Sequence, residues 1–370
     1  MNKLLVCAAM AAATACSTGS GGTTGGSSTS SSGGAGDAGV VDPSWTWRPA
    51  PDSVLGARWG GITAEGGDGS TFLISGIGGT VGPGLRDVEL ASTAGNATAF
   101  ATQGNLPSTR YCGCAMFDPM RRELVIIGGR NGSFVEDFTA VVLSLDSGMT
   151  TDIPNAGPAQ HPVGCMAAFD STRDKGFVFS GLNPSDPRYF SAVTWTYDPA
   201  TRTFNSLAAT GPAPRYDAVF KAPVPGGPIY LIGGLGLVGV RQTLFSDVWT
   251  LDPATEVWTE VATTSTTVPS GRRYPWVAFA PDRSFFVYGF GSDSGRGESF
   301  LGDLWRFDLA TGVWTELDDV NPPSARGFAW WLPGGEGTAG LMLAGLDLDG
   351  TPEDAYELVP PSNLRGAGWR

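Results

Sequence analysis

Imidazole is almost absent from this sequence. His161 is the one histidine among 370 residues, and Lys3, Lys175 and Lys221 are the only lysines. A single imidazole cannot build the multi-histidine sites that zinc or copper enzymes use, so no metal and no other cofactor is expected. Charge is scarce as well: charged residues make up 16% of the chain, and 36 acidic against 23 basic residues leave a net charge of −13. That balance excludes general affinity for nucleic acid or for anionic membrane surfaces. Beyond Ala15 no apolar run is long enough to suggest a membrane helix. The glycines form no phosphate-binding loop and no nucleophile elbow in a convincing context.

What the chain has in quantity is glycine, proline and aromatic residues, with 54 Gly, 27 Pro, 12 Trp and 19 Phe. Such a composition favours short strands, tight turns and aromatic packing over long helices, and predicts an all-β fold.

The first residues read as an address. Lys3 gives a positive start, Leu4 to Ala13 an apolar stretch too short to span a bilayer, and Ala15 a small residue before Cys16. Residues 1–15 are therefore expected to be a signal peptide. Ala13-Thr14-Ala15-Cys16 resembles the lipobox of bacterial lipoproteins, although Ala13 stands where that family usually has Leu. The resemblance implies a lipid on Cys16, and Ser17 after it implies sorting to the outer membrane or cell surface. Periplasmic release or secretion is the alternative. Residues 16–43, almost wholly Ser, Gly, Thr and Ala, cannot bury enough apolar surface to offset ordering and read as a flexible tether. The folded part is expected to span 44–370.

Within that part a unit of roughly fifty residues recurs. Each copy begins with a basic residue: Arg58, Arg110, His161, Arg215, Arg273 and Arg326. An apolar run ending in glycine follows, as in Leu124-Val125-Ile126-Ile127-Gly128-Gly129 and Ile229-Tyr230-Leu231-Ile232-Gly233-Gly234. Next comes an Asp-aromatic strand and a Trp-centred one, clearest in Asp247-Val248-Trp249 through Trp258 and its echo Asp303-Leu304-Trp305 through Trp314. The intervening Asp252-Pro253-Ala254-Thr255 suits a tight turn, so each copy ends in a hairpin.

This order resembles the Kelch repeat of β-propellers, over about Trp45 to Leu358 and most closely in the copies from Arg110, Arg215 and Arg273. The resemblance implies a six-bladed Kelch-type β-propeller. The last copy lacks its outer strand, while Trp45-Thr46-Trp47 matches the final strand of a copy with no beginning. That segment is expected to close the ring beside Tyr356, which removes an exposed edge and fits a monomer.

Cys112, Cys114 and Cys165 remain once Cys7 and Cys16 are assigned to the leader and anchor, enough for one bridge and one free thiol. Because Cys114 and Cys165 hold nearly the same place in adjacent copies, a bridge between them is expected, against a competing reading of three small buried residues.

In Kelch propellers the loops entering the innermost strands gather at one mouth of the central channel. The resemblance therefore implies a ring of basic residues there, with aromatics beside four of them in Arg58-Trp59, Arg110-Tyr111, Arg215-Tyr216 and Arg273-Tyr274. Arg130 and Asn131, after Gly128-Gly129, resemble positions that peptide-binding Kelch propellers use at the same mouth. Such a rim suits an anionic peptide, protein or acidic glycan. The competing reading gives the arginines a packing role, paired with Asp and backbone carbonyls between blades. Asp347, Asp349, Glu353 and Asp354 around Gly350 lack the spacing of a calcium loop and read as a solvated turn.

No catalytic residue is assigned. The expected function is a surface-anchored recognition module, touching the membrane only through its lipid. The alternative is a metal-free carbohydrate-active enzyme resembling the sialic-acid-mutarotase type, which would place carboxylates beside the arginines in a deep pocket rather than at a shallow rim.

Overall fold

The structure is a computed structural model. It describes residue 44 onward, apart from residues 51–57, 67, 79–83, 95–96, 184–189, 293–299, 336, 351–353 and 366–367. The expected signal peptide, tether and Cys16 lie outside the described residues, as does Glu353.

The all-β expectation holds. Antiparallel sheets follow one another along the chain, and the only helical element among the described residues is a short 3-10 turn, Gly157–Gln160. A representative unit runs Cys114–Asp118, Glu123–Ile127, Ala140–Ser144 and Thr150–Ile153, paired in sequence order. The unit from Arg215 is divided, its upper part Arg215–Tyr216, Leu235–Val238 and Arg241–Leu244 forming a separate sheet. In every unit the strand nearest the unit's start is the terminal strand of its sheet, pairing within that sheet on one side only.

Local chemistry explains the hairpins. Asp252 Oδ1 accepts from the backbone N–H of Ala254 (2.7 Å) and Thr255 (3.4 Å), and Asp308 Oδ1 does the same for Ala310 (3.1 Å) and Thr311 (2.9 Å). The aspartate thus supplies the turn's acceptor while the strands before and after it pair. Between units apolar and aromatic contacts are joined by ion pairs such as Arg121 with Asp174 and Lys175 with Glu256. Trp258 lies against Phe179 and Phe220, and its Nε1 donates to Thr194 Oγ1 of the preceding unit (2.9 Å).

The ring closes as expected. Trp45–Ala50 pairs antiparallel with Ala355–Val359, with Trp47 opposite Leu358 and Pro49 opposite Tyr356, and a short parallel contact joins Trp45 to Asp319. Trp47 is buried among Trp276, Phe290 and Trp331, and its Nε1 donates to Asp319 Oδ2 (2.7 Å). The two ends of the domain are thereby tied by side chains as well as backbone.

Because Trp47 fills a close-packed site, Trp47→Ala is expected to cost about 3–5 kcal/mol in urea unfolding. A loss below about 1 kcal/mol would mean that the strand contributes little to closure.

Candidate functional site

The basic residues occupy one recurrent geometry, though not the one expected. Arg215 is fully buried; its Nη1 and Nη2 donate to Asp247 Oδ1 (2.5 Å) and Oδ2 (2.8 Å), and Nη1 also donates to the Gly233 carbonyl (3.1 Å). Arg326 clamps Asp354 and the Ala344 carbonyl in the same way. Arg110 reaches the Gly128 carbonyl, Thr139 and Asp137, and Arg58 pairs with Asp87 at 2.7 Å. The arginine at the start of a unit therefore holds the aspartate that opens its third strand. It pairs inside its own unit rather than between units.

Two register assignments are corrected by this geometry. In the fifth unit the clamp is Arg272, not Arg273: Arg272 binds Asp303 through both nitrogens (2.6 and 2.9 Å) and reaches the Phe290 carbonyl. In the third unit the equivalent position is Pro162, not His161, since Val163 bridges to Leu182 as Tyr111 does to Arg130 and Arg273 to Ser292. His161 falls one residue earlier, as the cap of the 3-10 turn. That unit lacks both halves of the clamp: pairing aligns Val193, which is exposed, with Asp247.

The residue after each clamp position faces the axis, except in the sixth unit, where it is Gly327 and Phe328 fills the space. Trp59, Tyr111 and Tyr216 are buried there with Val163, Phe190 and Phe328, closing the channel with an aromatic plug. Arg273 takes the aromatic position in its unit. Its guanidinium lies 4.9 Å from the Tyr216 ring, 5.0 Å from Tyr274 and 5.8 Å from Phe328, and its Nη2 and Nε donate to Asp217 Oδ2 at 2.5 and 3.1 Å. Burial pushes the Asp217 carboxyl up from the ordinary value, against the opposing pull of Arg273 and the Tyr274 hydroxyl.

One residue further on, every unit turns in the left-handed region: Gly60, Cys112, Gly164, Asp217, Tyr274 and Phe328 have φ of 67°, 53°, 63°, 56°, 52° and 56°. These residues hand hydrogen bonds around the axis. The N–H of Cys112 donates to the Gly60 carbonyl (2.8 Å), Gly164 to Cys112 (2.6 Å), Asp217 to Gly164 (3.1 Å) and Tyr274 to Asp217 (2.8 Å). Left-handed backbone costs about 1–2 kcal/mol at a non-glycine residue, so four side chains are kept at the axis against that cost.

Beneath this ring lies a central cavity of about 540 Å³, walled by the innermost strands of all units. Cys112, Gly164, Asp217 and Tyr274 line its closed end, and Lys221, Arg283 and Arg370 its other end. Above the ring, Arg130 is buried and donates to Glu136 Oε1 (2.9 Å), while Asn131 Oδ1 accepts from the N–H of Ser133 and Val135. That turn lifts Phe134 and Val135 to the surface, with Phe134 5.8 Å from the Tyr111 ring.

Cys114 and Cys165 form a disulfide between adjacent units, their Cα atoms 5.3 Å apart, and Cys112 is a buried thiol with its sulfur 3.6 Å from the Tyr274 hydroxyl. Asp347 Oδ1 accepts from the N–H of Asp349 and Gly350, so that cluster is a turn. Among the described residues no group of three or more His, Cys, Asp or Glu is placed to hold a metal.

Sheets of this order around a closed axis define a Kelch β-propeller. Residues 135–330 match the family model of the KLHDC2/KLHL20/DRC7 Kelch-repeats domain, and the chain belongs to this Kelch-repeat family, whose propellers serve as protein-interaction modules.

Removing one half of a clamp leaves a charge without its partner. Arg215→Met is expected to lower stability by about 3 kcal/mol, measured by denaturant unfolding. Burial alone would raise the Asp303 carboxyl, but hydrogen bonds from Arg272 and Trp305 and the Arg272 charge hold it below its ordinary 3.8. The native state therefore binds this proton less tightly than the unfolded chain, and the stabilisation is present above that value and lost below it. The stability gap between wild type and Asp303→Asn should be flat from neutral pH to about 5 and close as pH falls through the depressed value; a gap that widens in acid would refute the assignment.

Proposed function

We propose that the chain is an exported, lipid-anchored six-bladed propeller that binds a protein or peptide on the face formed by its second-to-third-strand connections. The carrying observation is the set of apolar side chains exposed on those connections: Phe134, Val135, Phe138, Val240 and Leu348, with Val240 96% exposed. Phe134 stands 5.8 Å from the Tyr111 ring of the plug, and the others occupy the same connection or the corresponding ones of their own units; apolar side chains gathered on one face would mark an interaction site. Of the arginines expected to make this mouth cationic, Arg58, Arg110, Arg215 and Arg326 are spent on aspartates of their own units and Arg273 on Asp217 of the preceding one. The reading is therefore of a partner gripped by apolar contacts, in place of one selected by negative charge. The lipobox-like Ala13-Thr14-Ala15-Cys16 and the Ser/Gly tether support presentation of this face away from a membrane.

A photo-cross-linking residue placed at Val240 should capture a discrete partner in intact cells, whereas one at Met120, in the turn between first and second strands at the other end, should not. Adding Phe134→Ser and Leu348→Ser should reduce that capture about tenfold or more; equal labelling from both ends would remove this face as the binding surface. Intact mass of the membrane-extracted protein should show a diacyl or triacyl group on Cys16. A soluble, unmodified mature chain would replace anchoring by secretion.

A further inference from the structure

At the opposite end, the mouth of the central cavity holds a segment of the chain itself. Arg370 and Phe279 exchange both backbone hydrogen bonds, Phe279 N–H to Arg370 O at 2.5 Å and Arg370 N–H to Phe279 O at 3.1 Å. Phe279 belongs to the innermost strand Trp276–Phe279, whose other edge is the only one used by its sheet. The segment is thus an added strand on a free inner edge, the pairing by which extended peptides dock on sheets.

Three further contacts make this a built site. Trp369 is 0% exposed, its ring 5.7 Å from Trp45 and 5.8 Å from Phe285. Arg283 donates from Nη1 to the Gly368 carbonyl at 2.8 Å and to the Ala280 carbonyl. The Arg370 side chain extends past the sixth unit to Gly69 in the first, where a Cβ would stand 2.6 Å from its Nη1. Anchor pocket, strand edge, carbonyl clamp and guanidinium seat all face one short extended segment. Arg370 and Arg283 also line the cavity whose far end reaches Cys112.

We infer that the cavity mouth is a docking groove for an extended segment bearing Trp followed by a basic residue, filled in cis by Gly368–Arg370, and that undocking this segment opens the cavity as far as Cys112. Besides these side-chain contacts the segment is held by a single strand-edge exchange, and burial and then the like charge of Arg370 lower the proton affinity of Arg283. The site lies on the end away from the proposed partner face and does not depend on that reading.

Cys112 reports the state of the groove without any knowledge of a natural ligand. In the full-length protein, iodoacetamide modification of Cys112, followed by peptide mass spectrometry, should be slow. Trp369→Ala should accelerate it about tenfold or more, as expected when a local opening becomes easier while the fold remains. Arg283→Gln, which spares the Trp pocket, should accelerate it less. Added Gly-Ala-Gly-Trp-Arg peptide should slow labelling of Trp369→Ala back toward wild type and leave wild type unchanged, whereas Gly-Ala-Gly-Ala-Arg should do neither. General unfolding by Trp369→Ala would raise labelling without peptide rescue, and that result, like unchanged labelling in both variants, would overturn the inference.

Discussion

The clamp between the first arginine of a unit and the aspartate that opens its third strand organises this molecule. It ties three points that are far apart in sequence: the entry to the innermost strand, the carbonyl at the glycine bend after the second strand, and the start of the third. A buried guanidinium is tolerable only with its donors satisfied, so the clamp fixes the bend and strand entry together. The third unit shows the two halves to be one device. Where Pro162 replaces the arginine, Val193 replaces the aspartate, and no uncompensated charge is left behind.

The same clamp explains what sequence reading could and could not see. Fold and closure were legible because they rest on period and hydrophobic pattern: the apolar runs, the Asp-turn hairpins, and Trp45 to Trp47 at the right distance before Arg58. The disulfide followed from equal placement in adjacent units. Side-chain register was harder, because Arg272 and Arg273 are tandem and His161 is a basic residue next to the true position. A finer signal existed. Each clamping arginine from Arg110 onward stands 18 residues before the carbonyl it binds, which selects Arg272 over Arg273 and leaves Pro162 in the third unit.

The fate of the charges was legible only in outline: the packing reading pairs the arginines with Asp and backbone carbonyls, but between blades rather than inside each unit. A ring of arginines reads as a cationic rim only while their partners are unknown, and in the clamped units those partners lie about thirty residues away, as Asp247 does from Arg215. Trp369 and Arg370 were invisible, since a short segment after a proline-rich stretch carries no periodicity. Its docking depends on a free inner edge and a pocket between Trp45 and Phe285, which exist only once the ring has closed.

The axis is where the repeats stop being copies. The clamp positions hold arginine in five of six units, but the left-handed positions two residues later hold Gly60, Cys112, Gly164, Asp217, Tyr274 and Phe328. Glycine would fill all six at least cost. A packing role alone would favour that uniformity, whereas here a carboxylate is desolvated and a thiol is set against a phenol. Strain and burial accepted at equivalent points of a repeat, and resolved differently at each, mark side chains that serve the cavity below and the plug above rather than the scaffold around them. The scaffold is thus symmetric where it must close and asymmetric where it can meet another molecule.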